Sequence, residues 1–427
     1  MLDRSQQPPL RDLEEYNIQQ PVCRELPSGV KLYVLDAGDT QVMRIDLVFG
    51  AGKFHQDHML QCLFTNRMLR EGTHRLGHQE IAEKLDFYGA WMEQNVSFSH
   101  SFVTLYSLNK FVEPTLELLA EMVKEPLFDE QVLDVVRRNN LQRHLVAMKK
   151  TSVRARRLLL QSIYSTDYIY GHMAEEHDYL AINSSMLTDY HRRYYHSHNL
   201  SIYLSGHVTD TCLQLVEHLF GQPFGQGEIP SRDYPPTPSL PPVRCFLEMK
   251  DSVQSSVILG KSVVGNEHPD CLKLRVLITI LGGFFGSRLM KTVREEKGFT
   301  YGIYSILNPS PTDNTLMILS DCAHEYVSPL LEEVCHQIDM LQQEPVGEEE
   351  LTLVKNYMKG EVLRTYDSRL SLSDAWTLVH TMGLPETYYR DYWQAISQTT
   401  SEDLLRLART YLAKESLTEV VAGQKMF

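Results

Sequence analysis

The sequence predicts an α+β protein of two tandem homologous domains. Each domain is expected to be a mixed, largely antiparallel sheet with helices packed on one face, and the two together enclose a cleft. Three observations lead there: an internal repeat, a Pro/Gly-rich break at mid-chain, and strand-type and helix-type hydrophobic periods that recur in the same order in both halves.

The repeat shows as three echoes. Glu125-Pro126-Leu127-Phe128-Asp129-Glu130 returns as Glu344-Pro345-Val346-Gly347-Glu348-Glu349, 219 residues later. Leu200 and Gly206 return as Leu417 and Gly423 at an offset of 217, and Leu63–Leu69 is echoed by Phe284–Met290 at 221. Such agreement implies two copies of a unit of about 210 residues. Between them lies Gly221–Gly227, then Asp233-Tyr234-Pro235-Pro236-Thr237-Pro238. Prolines remove backbone donors and disfavour helix, so this stretch should stay extended. The expected domains are 1–222 and 240–427, joined by a linker over 223–239.

Within each copy the periods run strands, helices, strands, helices. Gly29–Leu35 and Met43–Phe49 alternate with period two, as half-buried strands do. Met59–Glu71 is helical, Ala90–Ser107 returns to alternation, and Phe111–Val123 and Asp129–Lys149 are helical on either side of Pro126. In the second copy Gln254–Gly260 and Thr315–Ser320 read as strands. Pro269–Leu281, Ser328–Leu341 and Glu348–Arg364 read as helices.

Composition excludes several function classes. With 43% hydrophobic and 22% charged residues in 427, each domain can bury a core. A net charge of −14 argues against nucleic acid and against an anionic membrane surface, though it would suit a basic peptide or partner. No run of eighteen apolar residues is present, so no membrane-spanning helix is expected, and the N-terminal stretch lacks an apolar run suited to a signal peptide. Seven scattered cysteines without a C-x-x-C fit reduced thiols, hence a cytoplasmic protein. Gly282-Gly283-Phe284-Phe285-Gly286 lacks the Lys-Ser/Thr of a phosphate-binding loop, and no Gly-x-Ser-x-Gly elbow occurs. The acidic run Glu348–Glu350 complements a helix N-terminus.

Two segments carry the chemistry. Gly50–Glu93 contains a helix around residue 63, then Gly72-Thr73, then an amphipathic helix ending at Gly89-Ala90. Gly282–Ser305 contains the glycine run followed by Arg294-Glu295-Glu296-Lys297-Gly298-Phe299-Thr300-Tyr301. Together they resemble the insulinase/pitrilysin group of zinc metallopeptidases, to which the mitochondrial processing peptidase belongs, and the resemblance spans nearly the whole chain. In that family a helix carries H-x-x-E-H, whose two histidines hold zinc while the glutamate serves as general base. In this register those positions are Leu63, Asn66 and Arg67. Leu offers no donor atom, Asn is not a base, and a guanidinium stays cationic. The family's third ligand is a Glu on a later helix, yet Val135–Thr166 contains no Asp or Glu. The chain is therefore expected to bind no metal. His55/His58, and His74/His78 with Glu80 nearby, are the alternative metal pairs; the plainer reading is exposed polar segments flanking the helix.

Read alone, Arg294 is a helix-surface charge and Tyr301 an edge-strand aromatic. The family resemblance implies more: an Arg and a Tyr seven residues apart that face the zinc, hold the substrate backbone and stabilise the oxyanion, with Gly282, Gly283 and Gly286 beside them. Three readings compete. One is a non-catalytic, substrate-binding subunit that completes the site of a homologous H-x-x-E-H partner, in a heterodimer where zinc sits on the partner. Another is a free-standing peptide-binding or structural pseudoenzyme, homodimeric when alone. The last is a self-sufficient metallopeptidase with unorthodox ligands.

Overall fold

The computed structural model describes residues 18–36 and 41–425, so most of the N-terminal stretch read for a signal peptide lies outside the described residues. Two sheets organise the chain. The first holds β1 (Val22–Glu25), β2 (Lys31–Asp36), β3 (Val42–Phe49), β4 (Trp91–Val96), β5 (Ser101–Leu108) and β6 (Leu200–Gly206) in the order β1-β2-β6-β3-β5-β4. The second holds β7 (Arg244–Glu248), β8 (Ser255–Val263), β9 (Thr300–Pro309), β10 (Asn314–Cys322) and β11 (Thr418–Gly423) in the order β7-β11-β8-β10-β9. Without β1 the two orders coincide strand for strand. In each, one pair is parallel, β2 with β6 and β7 with β11, and the other neighbours run antiparallel.

The helices repeat as well. The first half carries α1 (Gln61–Met68), α2 (His78–Tyr88), α3 (Val112–Lys124), α4 (Glu130–Ala147), α5 (Thr151–Tyr164), α6 (Glu176–Ala181), α7 (Ser184–Tyr194) and α8 (Asp210–Phe220). The second carries α9 (Cys271–Ile278), α10 (Val327–Gln343), α11 (Glu348–Thr365), α12 (Arg369–Thr381), α13 (Tyr388–Gln398) and α14 (Ser401–Tyr411). Two of the three sequence echoes fall on matching elements: the turns before α4 and α11, and the strands β6 and β11. The third does not. Leu63–Leu69 lies in and just after α1, whose counterpart after the long strand β8 is α9, whereas Phe284–Met290 comes later. Local apolar composition, not common position, explains that echo. Ala90–Ser107 likewise is a hairpin, turned at Ser97, whose hydroxyl accepts from the backbone N–H groups of Ser99 and His100.

Residues 223–243 contain no regular element. They are nonetheless fastened to both halves. Tyr234 stacks on Phe54 at 4.3 Å, the Tyr168 hydroxyl donates to the Pro235 carbonyl at 2.9 Å, and the Thr237 and Thr312 hydroxyls pair at 2.9 Å.

Each half packs its own helices on one face of its sheet, as expected. The opposite faces are where the halves meet, and they meet by exchange: α5 of the first half lies on β8 and β11, while α12 of the second lies on β2 and β6. The α5 contact is apolar. Ala155, Leu159 and Ile163, four residues apart and thus on one helix stripe, bury against Ile258, Met317, Val420 and Ala422. Gly260 permits the close approach, since a Cβ there would stand 2.6 Å from the Leu316 carbonyl and 3.0 Å from Leu159 Cδ2.

The α12 contact is polar. The Arg44 guanidinium on β3 donates to Asp46 (2.9 and 3.0 Å), to Asp374 (2.6 Å) and to the Leu370 carbonyl (3.3 Å), while Thr104 and Ser373 also donate to Asp46. His380 meets the Tyr203 hydroxyl at 2.8 Å beside stacked Tyr33. Burial alone would lower the Arg44 pKa, but Asp46 and Asp374 hold it above its ordinary value.

Two stability predictions follow from this packing. Leu159→Ala removes a fully buried side chain from the apolar α5 contact and should cost about 2–5 kcal/mol, read as a lower urea midpoint with an unchanged slope. The second concerns His191 on α7, whose Nε2 sits 2.8 Å from the Val123 carbonyl between Phe128 and Tyr195. Burial pushes its pKa down to about 4. The unfolded chain, with an ordinary histidine pKa of about 6.5, therefore takes up the proton first. Its contribution is complete above pH ~6.5 and is lost as pH falls toward ~4, at up to about 1.4 kcal/mol per pH unit. Urea melts of His191→Gln should show a flatter acid slope than wild type; an identical slope would refute the assignment.

Candidate active-site remnant and the arginine–aromatic cluster

α1 presents the three positions where a zinc site would stand. Asn66 is buried, and its amide N–H groups donate to the Asn95 and Phe102 carbonyls (2.8 and 3.0 Å), tying α1 to β4 and β5. Gln94 of β4 donates back to the Asn66 carbonyl. Arg67 crosses to α4 and donates to Asn140 Oδ1, while the Asn140 amide donates to the Val136 carbonyl at 2.7 Å. Burial lowers the Arg67 pKa, Tyr179 raises it, and Arg143 lowers it again. Leu63 packs at the rim of the first core.

This donor set does not fit zinc. It offers an amide committed to donating, a cation and a hydrocarbon, and no group of three His, Cys, Asp or Glu side chains converges anywhere among the described residues. The histidine pairs stand apart from one another. His55 is half-buried, with its Nδ1 accepting from the Gly52 amide and its Nε2 against the Ser231 carbonyl at 3.0 Å, while His58 is exposed. His78 opens α2 and pairs with Glu71 at 2.7 Å, His74 lies outside that helix, and Glu80 caps it by accepting from Gly77.

A cavity of about 500 Å³ opens between the halves beside α1. Leu63 and Arg67 form one wall, and Gln94, Asn95 and Val96 of the edge strand β4 another. Across it stand Arg156, Leu160 and Tyr164 of α5, with Asn308 and Thr315 from the second half. Arg156 continues into a second cavity of about 330 Å³ lined by Gly302 and Tyr304 of β9. Sequence reasoning passed over Arg156 and Asn140: each is an unremarkable helix residue until the halves are assembled.

Arg294 and Tyr301 come together, but outside these cavities. Helix α9 widens into π-turns over Thr279–Gly283, and a second π-helical segment spans Met290–Glu296 before Gly298, at φ +67, turns the chain into the edge strand β9. The Arg294 guanidinium lies over two rings, 4.6 Å from the centroid of Phe285 and 5.4 Å from that of Tyr301. Tyr301 is 89% exposed and Phe285 60% exposed. Phe285, hidden within the glycine run, is the member of the cluster that sequence reading missed. The glycines serve packing: a Cβ on Gly282 would stand 2.7 Å from the Ser305 amide, on Gly283 3.2 Å from Thr279, and on Gly286 2.8 Å from the Phe284 ring. Arg288, two residues on, forks onto Glu350 at 2.7 and 2.8 Å and so fastens the segment to the first turn of α11.

Comparison with known proteins agrees with this geometry. Residues 34–175 match Insulinase (Peptidase family M16), and residues 181–358 match Peptidase M16 inactive domain. The chain belongs to peptidase family M16. It is 24% identical over 346 residues to the uncharacterized zinc protease YmxG of Bacillus subtilis, covering 80% of this chain and 83% of that one. It is 21% identical to the non-peptidase homolog YmxG of Helicobacter pylori, covering 85% and 80%. Over 50% of its length it is 25% identical to the mitochondrial-processing peptidase subunit alpha of Solanum tuberosum, spanning 42% of that protein. The solved peptidase M16 inactive domain from Pseudomonas fluorescens has the same fold, with a TM-score of 0.84, 22% identity, and 96% and 99% of the two chains covered. This M16 chain lacks the zinc motif, and its α1 is held to the sheet by amides instead of a metal.

Elemental analysis of the purified chain should accordingly find no stoichiometric zinc. About one zinc per chain, removed by substituting His74 or His78, would contradict the fit test above.

Proposed function

We propose that this chain is the non-catalytic, substrate-binding subunit of a two-chain zinc metallopeptidase acting on peptides. It completes the active site of a homologous H-x-x-E-H partner that carries the zinc. The observation that carries this reading is the position of the Arg294 cluster. A cation held over two aromatic rings is pre-organised, and it lines neither of the two cavities between the halves, which suits a group that acts on a substrate shared with a second molecule. Phe285 and Tyr301, with Tyr304 and Ile306 farther along β9, leave apolar surface along an edge strand, which suits an interface more than open solvent. The likeness to a processing-peptidase alpha subunit supports a paired assembly. We further propose the domain limits 1–222 and 240–427 and a cytoplasmic setting, the latter supported by seven cysteines that are all free. No helix among the described residues is long and apolar enough to cross a membrane.

A free-standing peptide-binding role is the second reading, favoured by the cavity of about 500 Å³, which exists within one chain.

Co-expression with an H-x-x-E-H relative, followed by a peptidase assay, separates the two. Arg294→Ala and Tyr301→Phe each remove a donor directed at the developing oxyanion. Each should lower turnover of the complex about a hundred- to a thousandfold, with folding and assembly intact. Full activity in both variants would sink the completing-subunit mechanism.

A further inference from the structure

The C-terminal end of α1 borders a smaller cavity of about 360 Å³, which shares Arg67 and Gln94 with the main one and is lined also by Arg70, Arg143, Asn139 and Asn140. Three guanidiniums share this space. Its one acid, Glu71, is turned to His78 at 2.7 Å. Most arginines in the described structure have carboxylate partners, for example Arg44, Arg157, Arg288 and Arg406. Arg70 and Arg143 make no hydrogen bond or ion pair among the described residues, and Arg67 reaches only the neutral Asn140. In a chain of net charge −14, three guanidiniums around one carboxylate leave this cavity with an excess of positive charge.

The surrounding sequence deepens that positive potential. Val135–Thr166, which forms most of α4 and all of α5, contains no acidic residue, and its Arg156 continues the positive lining into the main cavity. The C-terminal carbonyls of α1, which ends at Met68, offset only part of this charge, since a helix terminus carries about half an elementary charge. Burial lowers the Arg67 pKa, and the like charge of Arg143 acts in the same direction. Guanidinium forks and amide donors around one space match the two oxygens of a carboxylate, which would accept from several of them at once.

We propose that the Arg67–Arg70–Arg143 cavity is a carboxylate-binding site, which selects peptides presenting an Asp or Glu side chain, or a free C-terminus, beside the apolar main cavity. This rests on the peptide-binding reading above and narrows its substrate class to acidic peptides, the reverse of what the overall charge would favour.

The test uses the full chain alone and needs no partner. Fluorescence anisotropy compares three labelled apolar peptides of one sequence: Glu with an amidated C-terminus, Gln with an amidated C-terminus, and Gln with a free C-terminus. The Glu peptide, the free-C-terminus peptide or both should bind at least about tenfold more tightly than the neutral one at low salt, and which one does so identifies the source of the carboxylate. Arg70→Gln/Arg143→Gln, both at the protein surface, should abolish that advantage and leave neutral-peptide affinity unchanged. Equal binding of all three peptides, or an advantage that survives the double variant, overturns the site while leaving peptide binding in place. If no peptide binds, the peptide-binding reading falls and the carboxylate site with it.

Discussion

The reciprocal exchange of α5 and α12 is the constraint on which the rest of the structure depends. A sheet with helices on one face only leaves an apolar face in water, and here each half covers the other's. Strands β3 and β8 consequently read as nearly continuous buried runs, as strands covered on both faces do. The cavities follow from the same contact. α5 lies on the second sheet while its Arg156 and Leu160 line the same cavity as residues of α1 and β4, so the space between the halves is walled by elements of both.

The two exchanges solve one geometric problem with different chemistry. α5 buries aliphatic side chains, so its contact is non-directional and gains strength with area. α12 brings Ser373, Asp374 and His380 to Arg44, Asp46 and Tyr203, a directional network in which each polar group has a partner. Losing one member there leaves others buried and unpaired, which generally costs more than the hydrogen bond itself contributed. The apolar exchange accordingly supplies adhesion, and the polar one fixes how the halves are set against each other.

Much of this was legible in the sequence, and what was not has physical reasons. Period-two and helical stretches located β2, β3, β8, β10 and α3, α4, α10 and α11 to within a few residues, because each element has one face in a core. The duplication was legible from the turns before α4 and α11 and from the final strands, where chain direction and a terminal glycine must be kept. The exchange was not, since the stripe Ala155, Leu159, Ile163 states that α5 is amphipathic but not which sheet it covers. The missing zinc ligands were legible as chemistry at three positions. The replacing contacts, Asn66 to two strand carbonyls and Arg67 to Asn140, join residues 29 to 73 apart and needed the fold. Phe285 escaped because a phenylalanine in a glycine run reads as packing until Arg294 is seen against its ring.

Loss of a metal site leaves a structural problem as well as a chemical one, and α1 shows how it is solved. A zinc ion would cross-link α1 to a later helix; without it, three side chains aimed at one point need other partners. Asn66 turns its amide into the sheet and stitches α1 to β4 and β5, so the edge strand that borders the cavity stays in place. Arg67 supplies a cross-link to α4 through Asn140 and leaves a positive charge beside the cavity. The helix is thereby held both to the sheet and to α4, while its three positions carry neither a metal ligand nor a base.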